Sequence, residues 1–282
     1  MLTLDGLGLA GLSAKAAWVV TGLLAIGLSM QAACGIISTR EAWVRRSILV
    51  AATALAVAVA TRTATSAMEL AGGWDGALGL ASLVFETQQT SIFASALAVC
   101  LLVAGAVFRS RLLLASGAVL AGLAFGLTGH ARSQDMPWLA AGLVGLHVVL
   151  AGFWASAPMT LWPTNGLSSA TLAARNRRFG QIAIMAVPVL MIAGAVLAWL
   201  VGGGVAGLTR SAYGTMIAIK ALCALVALSI GAWNRLALAR ELETEPSRGL
   251  PLLARAMVLD AVLFAAAILA VVFATTIAAP AS

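Results

Sequence analysis

Long apolar runs alternate along the chain with short connections that carry most of its polar residues. The runs lie at roughly 16–38, 47–67, 91–108, 112–130, 138–161, 179–201, 215–234 and 256–278. They are unbroken, without the strict polar–apolar alternation of a membrane β-strand. A helix rises about 1.5 Å per residue, so each run crosses about 30 Å of hydrocarbon, the third and fourth only just. The pattern therefore predicts eight transmembrane helices. The longest connection, about 68–90, holds Gly72, Gly73, Trp74 and Asp75, and its 78–85 portion predicts a short helix lying along the interface. The first run is long enough to remain as a helix, so no cleavable signal peptide is expected.

Composition agrees with this pattern. Of 282 residues, 62% are hydrophobic and 10% charged. A soluble domain has about 45–50% and about 25%. The expectation is an all-α polytopic membrane protein, with one integral membrane domain over 1–282. Its N-terminal four spans occupy about 16–130 and its C-terminal four about 138–278.

The net charge of +7 would suggest a nucleic-acid partner in a soluble protein, but here the basic residues sit between spans. The side reached after spans 1, 3, 5 and 7 holds 12 of the 17 Lys and Arg residues, among them Arg40, Arg45, Arg46, Arg175, Arg177 and Arg178. The other side holds Lys15, Arg62, Arg132, Arg210 and Lys220, and the acids divide evenly, five to each. The positive-inside rule places the first side in the cytoplasm and both termini in the periplasm. Trp18, Trp74, Trp138 and Trp199 fall near the outer boundary, and Trp43, Trp162 and Trp233 near the inner one, as in an aromatic belt.

The polar residues inside the spans carry the candidate chemistry. There are two histidines. His130 ends span 4 near the outer surface. His147 lies about 13.5 Å below Trp138, near the bilayer centre, where an imidazole needs a partner or a water cavity. Cys100, Cys223 and Met191 fall near the same depth in spans 3, 7 and 6. Imidazole with sulfur suits a soft ion, Cu(I) in preference to Cu(II). The two histidines differ in depth by about 13 Å, too far for one ion, so two sites in series are expected. The outer site would be His130 with Met136, to which Met68 or Glu69 could be added, and the inner one His147. Against this, cysteine and methionine also serve as ordinary packing residues, and a histidine bonded to a neighbouring helix needs no metal.

Other residues have plainer readings. His147, Ala151, Trp154 and Pro158 share one face of span 5, with Pro158 placed to kink it. Lys220 is expected to snorkel outward. Asp260 is expected to pair with Arg235 or Arg255, and Arg62 with Glu69. Gly122 and Gly126 form a GxxxG helix-packing pair. Cys34, Cys100 and Cys223 are scattered and odd in number, so no disulfide framework is expected. No phosphate-cradling glycine loop, HExxH, CxxC or nucleophile–base pair is present, so no enzymatic activity is expected.

Gly129-His130-Ala131, then His147 with Trp154 seven residues on, Arg178-Phe179, Tyr213-Gly214, Lys220 and Asn234-Arg235 form an ordered set. In order and spacing this set resembles the copper resistance protein D (CopD) family over about 129–278, while the first four spans agree mainly in hydropathy. The resemblance implies an eight-span bacterial inner-membrane protein of copper homeostasis that moves copper inward from the periplasm. It also implies a separate periplasmic CopC-type copper-binding partner and maps the family's histidines onto His130 and His147. The family's Trp-x-Gly-Gly is replaced here by Trp154-Ala155-Ser156-Ala157. If His147 ligates as neutral imidazole, uptake should weaken at acidic pH. Two rival readings are a haem-binding redox protein like cytochrome b561, and a non-transporting scaffold for a copper chaperone. The haem reading is disfavoured because its two axial histidines must face each other at one depth.

Overall fold

The computed structural model describes residues 6–128, 136–163, 167–201, 204–233 and 238–276. Among these, every regular element is a helix. In chain order they are α1 (Gly6–Ala33), α2 (Ala42–Ala71), α3 (Trp74–Phe108), α4 (Arg111–Gly126), α5 (Pro137–Ala155), α6 (Ala157–Thr160), α7 (Ser169–Val201), α8 (Gly204–Arg210), α9 (Ala212–Trp233), α10 (Ala239–Thr244) and α11 (Pro246–Thr276). Seven spans, with α5 and α6 taken as one, are long and apolar enough to cross a bilayer, and α4 is a shorter apolar helix beside them. Lipid offers no hydrogen-bond partners, so a chain this apolar satisfies its backbone within helices.

Helix α1 is central. It packs on α2, α4, α5 and α11, and Ala25, Ile26, Leu28, Gln31 and Ala32 on it are essentially inaccessible. Glycines set the closest approaches. A Cβ on Gly27 would overlap the Gly152 carbonyl of α5, and one on Gly126 would overlap the Ala141 backbone. Gly122 meets Gly145 and Val149. The 122/126 pair is thus a packing surface, as its spacing predicts. The C-terminal half is looser: α7 packs on α5 and α10, and α9 packs chiefly on α11.

Each predicted apolar run overlaps a helix, seven of them long enough to cross and the fourth, α4, shorter, and the helix ends differ from the runs. The 68–90 connection is not a loop with a separate interfacial helix. A turn at Gly72 and Gly73 leads directly into α3, which runs unbroken through 78–85. Gly72 has φ 69°, a left-handed conformation that closes α2. Nothing between 80 and 90 is Gly or Pro, so the helix has no reason to stop. Helix α7 begins about ten residues before its apolar run, because its basic first turns lie outside the hydrocarbon. Span 5 breaks at Ser156, and Pro158 sits in the first turn of α6, where its missing N–H costs nothing.

Contacts between distant segments place the basic connections on one face. Glu41 of the α1–α2 connection binds Arg175 of α7, Arg178 donates to the Cys34 carbonyl, and Arg177 pairs with Glu243 of α10. Trp74, Trp138, Trp162, Trp199 and Trp233 are exposed, as belt residues should be. Trp18 and Trp43 depart from that expectation. Trp18 is buried, stacked on Phe125 at 3.9 Å with the Arg62 guanidinium 3.8 Å above its ring. Arg62 is therefore engaged with an aromatic face, and no ion pair joins it to Glu69 among the described residues. Trp43 is half-buried against the core and donates its indole N–H to Glu41 at 2.7 Å.

Candidate functional site around His147

His147 sits midway along α5, on the side that meets α7 and α9. Gly194 of α7 makes room for its ring: a Cβ there would come within 3.1 Å of Cε1 and 3.4 Å of Nδ1. Nδ1 is enclosed beside the Leu190 backbone and falls short of a full hydrogen bond. On the other edge of the ring, Nε2 lies 3.3 Å from Lys220 Nζ of α9. When Lys220 is protonated its ammonium only donates, and Nε2 is then the acceptor with the ring's proton on Nδ1. Both ring nitrogens are thereby faced by protein groups.

Lys220 thus departs from the expected outward snorkel. Trp154 lies over Gly231, which fixes the relative level of α5 and α9. Measured outward from there at 1.5 Å per residue, His147 is about 10.5 Å up and Lys220 about 16.5 Å up. The lysine backbone is therefore about 6 Å nearer the N-terminal ends of α5 and α9 than that of His147, and its side chain reaches back to the level of the ring. Helix α9 packs on α11 more than on α5, so the long stem spans the space between.

The other candidate ligands are distributed unevenly. Cys223 is half-buried one turn inward of Lys220, close to the level of His147. Met191 is half-buried on α7, between Leu190 and Gly194, both of which lie beside the ring. Cys100 is not brought to His147. It is exposed on α3 and lines an apolar groove of about 650 Å³ between α2 and α3, with Ala60, Ala64 and Ser95. Met136 is exposed at the start of α5. His130 lies outside the described residues. Met68 is buried with Ala67, Ala77 and Val84 in a small separate core, so it is not open to an outer site. The Glu69 carboxylate packs on Gly11 of α1. All three cysteines are free thiols. Among the described residues no group of three or more His, Cys, Asp or Glu is placed to hold a metal ion.

Below His147 the helix meets two further features. Trp154 is edge-on to Phe179 and tilted against Phe264, both at 6.5 Å. Beneath it lies a buried polar layer. Gln31 donates to the Phe153 carbonyl and to Ser156 Oγ, both at 2.8 Å, and accepts from Thr160 Oγ1 at 2.6 Å. Arg175 donates to the Thr160 carbonyl at 3.4 Å and forks onto both Glu41 oxygens at 2.7 and 2.8 Å. Ser156 is therefore part of this layer. Close approach of α1 and α5 comes through Gly27 and Gly152. The sequence reading missed Gln31. A lone amide in an apolar run was the available signal, since such a group needs partners.

Asp260 also differs from expectation. It is 2% exposed and its Oδ1 has no hydrogen-bond partner. Arg255 is exposed and lies on the far side of α11, five residues back. Arg235 lies outside the described residues.

The helices that wall in His147 from the C-terminal side are also where the chain is similar to known proteins. Residues 173–274 match the family model Copper resistance protein D. The match takes in Leu190, Gly194 and Lys220, and stops short of α5 itself. No curated protein matches the chain. No solved structure matches it.

Proposed function

We propose that the chain is a copper permease of the bacterial inner membrane, taking copper from the periplasm to the cytoplasm through His147, and not an enzyme. The basic connections then lie on the cytoplasmic face and both termini outside. Copper is the cargo, bound as Cu(I). It is received at the outer surface by His130 and Met136 and passed to His147, with Cys223 and Met191 as the sulfur donors nearest that depth. A separate CopC-type protein would deliver it.

One observation carries this reading. The segment that matches Copper resistance protein D supplies the α7 and α9 surfaces that enclose the intramembrane imidazole. An ionisable side chain at that depth is costly and marks a pathway or site more often than plain packing. The test is His147→Ala in cells, with total cellular copper measured by elemental analysis. Accumulation should fall to the level of a strain lacking the protein. Unchanged accumulation removes His147 from the route.

The contacts on both ring nitrogens favour a second reading, in which His147 is structural and the protein docks a copper chaperone without transporting. Purified protein in proteoliposomes separates the two. A permease loads the lumen with copper, and a scaffold does not.

A further inference from the structure

A neutral imidazole has one lone pair with which to bind a metal, on whichever nitrogen lacks the proton. With Lys220 protonated, that lone pair is on Nε2 and faces Nζ 3.3 Å away. The other nitrogen is enclosed by α7 at Leu190 and Gly194. The ring as it stands offers no free ligand. Lys220, for its part, has no carboxylate within ion-pair distance among the described residues, so the imidazole is its polar partner in the membrane.

We propose that Lys220 is the gate of the His147 site. The inference rests on the copper reading and adds to it a residue that decides when the ligand is available. The lysine has two places to put its charge. Directed inward, it caps Nε2 and closes the site. Its backbone lies about 6 Å nearer the outer surface than the ring, so by rotating its stem outward it reaches the interface, as lysines near helix ends ordinarily do. That movement bares Nε2. A cation arriving at Nε2 cannot share the nitrogen with an ammonium, so binding and outward rotation occur together. The gate also discriminates. An ion that binds imidazole weakly cannot displace the lysine, whereas a soft ion that also engages a nearby thiolate or thioether can.

A ligand that binds only a minor open form has its apparent affinity reduced by the fraction open. Removing the gate therefore tightens binding. The measurement is Cu(I) affinity of the full-length protein in detergent, without oxygen, by competition with a chromogenic Cu(I) chelator. If the open form is about a tenth of the population or less, Lys220→Leu and Lys220→Ala bind about tenfold tighter or more than the parent. Lys220→Arg, which still donates to Nε2, stays within about threefold. Combined with His147→Ala, the Lys220→Leu gain disappears. Nitrogen-15 spectra of histidine-labelled protein, with His130→Ala used for assignment, supply a readout that loss of packing would not move. In Lys220→Leu the Nε2 resonance shifts toward that of a free lone pair, and in Lys220→Arg it does not. Parental affinity in both Lys220→Leu and Lys220→Ala, at parental elution volume and helicity, overturns the gate and leaves the copper reading standing. Absence of Cu(I) binding by parent and variants alike overturns both.

Discussion

Gln31 shows what a single polar side chain inside an apolar helix must do. Its amide is wholly buried and engages three partners on α5 and α6. Removing it takes one hydrogen bond each from the Phe153 carbonyl, Ser156 Oγ and Thr160 Oγ1, although the carbonyl keeps one from Ser156 Oγ at 3.2 Å and Thr160 keeps weaker bonds to its own helix at 3.3 Å. Each such hydrogen bond contributes about 0.5–1.5 kcal/mol net. Gln31→Ala is therefore expected to destabilise the protein by about 2 kcal/mol, read as a lower thermal midpoint in detergent. Ser156→Ala should cost less, because Gln31 retains its bond to Phe153. No change in midpoint for Gln31→Ala would mean that the layer contributes nothing. The residue scale is also where sequence is least informative. That His147 needs a partner follows from its depth. That the partner is Lys220, 73 positions away, does not follow from any spacing along one helix. The same holds for Gln31, whose bonds span 122 to 129 positions. Depth is legible in a membrane sequence, but facing is not. Hence Cys100, at the right level, ended on the α2–α3 side of the molecule.

Helices were more legible than contacts, for a physical reason. Hydropathy reports which residues meet hydrocarbon, and in hydrocarbon the backbone has no choice but to be helical. The same signal is silent about helix that continues into water, so the starts of α3 and α7 were missed. What fixes the packing of these helices is small residues, since lipid provides little drive for helices to associate. Gly27 is a demanding position between α1 and α5, because a side chain there meets the Gly152 backbone, which cannot rotate away. Gly27→Leu is expected to prevent the α1–α5 crossing, so that the protein aggregates or elutes early on size exclusion. Gly79→Ala, with open space around it, should elute as the parent does. The contrast between two glycines in apolar helices is the check. Equal tolerance at both would refute a backbone-to-backbone crossing at Gly27.

Across the whole molecule, the N-terminal helices and the family-matched C-terminal helices are joined by α1, by α5 and, on the basic face, by Glu41. This carboxylate binds Arg175 and Trp43 and accepts from the Ser38 N–H, and Arg175 stands 5.7 Å over the Trp43 ring. Partial burial pushes its pKa up, but the hydrogen bonds from Trp43 and Arg175, the charge of Arg175 and the Ser38 amide together hold it below the usual carboxylate value. A depressed folded value fixes the sign of the linkage. The clasp contributes fully above the unfolded carboxylate pKa, about 4.3, and the contribution fades as pH falls through the lower folded value. Glu41→Gln keeps the shape and loses the charge. At neutral pH it should unfold at a lower temperature than the parent, and the gap should narrow steadily below about pH 4, as the parent carboxylate takes up its proton. Thermal midpoints of both proteins across that range decide the matter. A gap that stays constant with pH would show that the charge of Glu41 contributes nothing to holding the two halves together. Because Glu41 lies on the face that the permease reading assigns to the cytoplasm, the clasp would then matter little to any movement of α7 against α1. If the gap does close, α7, which carries Leu190 and Gly194 against the His147 ring, is tethered to the N-terminal helices through the charges of its basic first turns, with Arg175 on Glu41 and Arg178 on the Cys34 carbonyl.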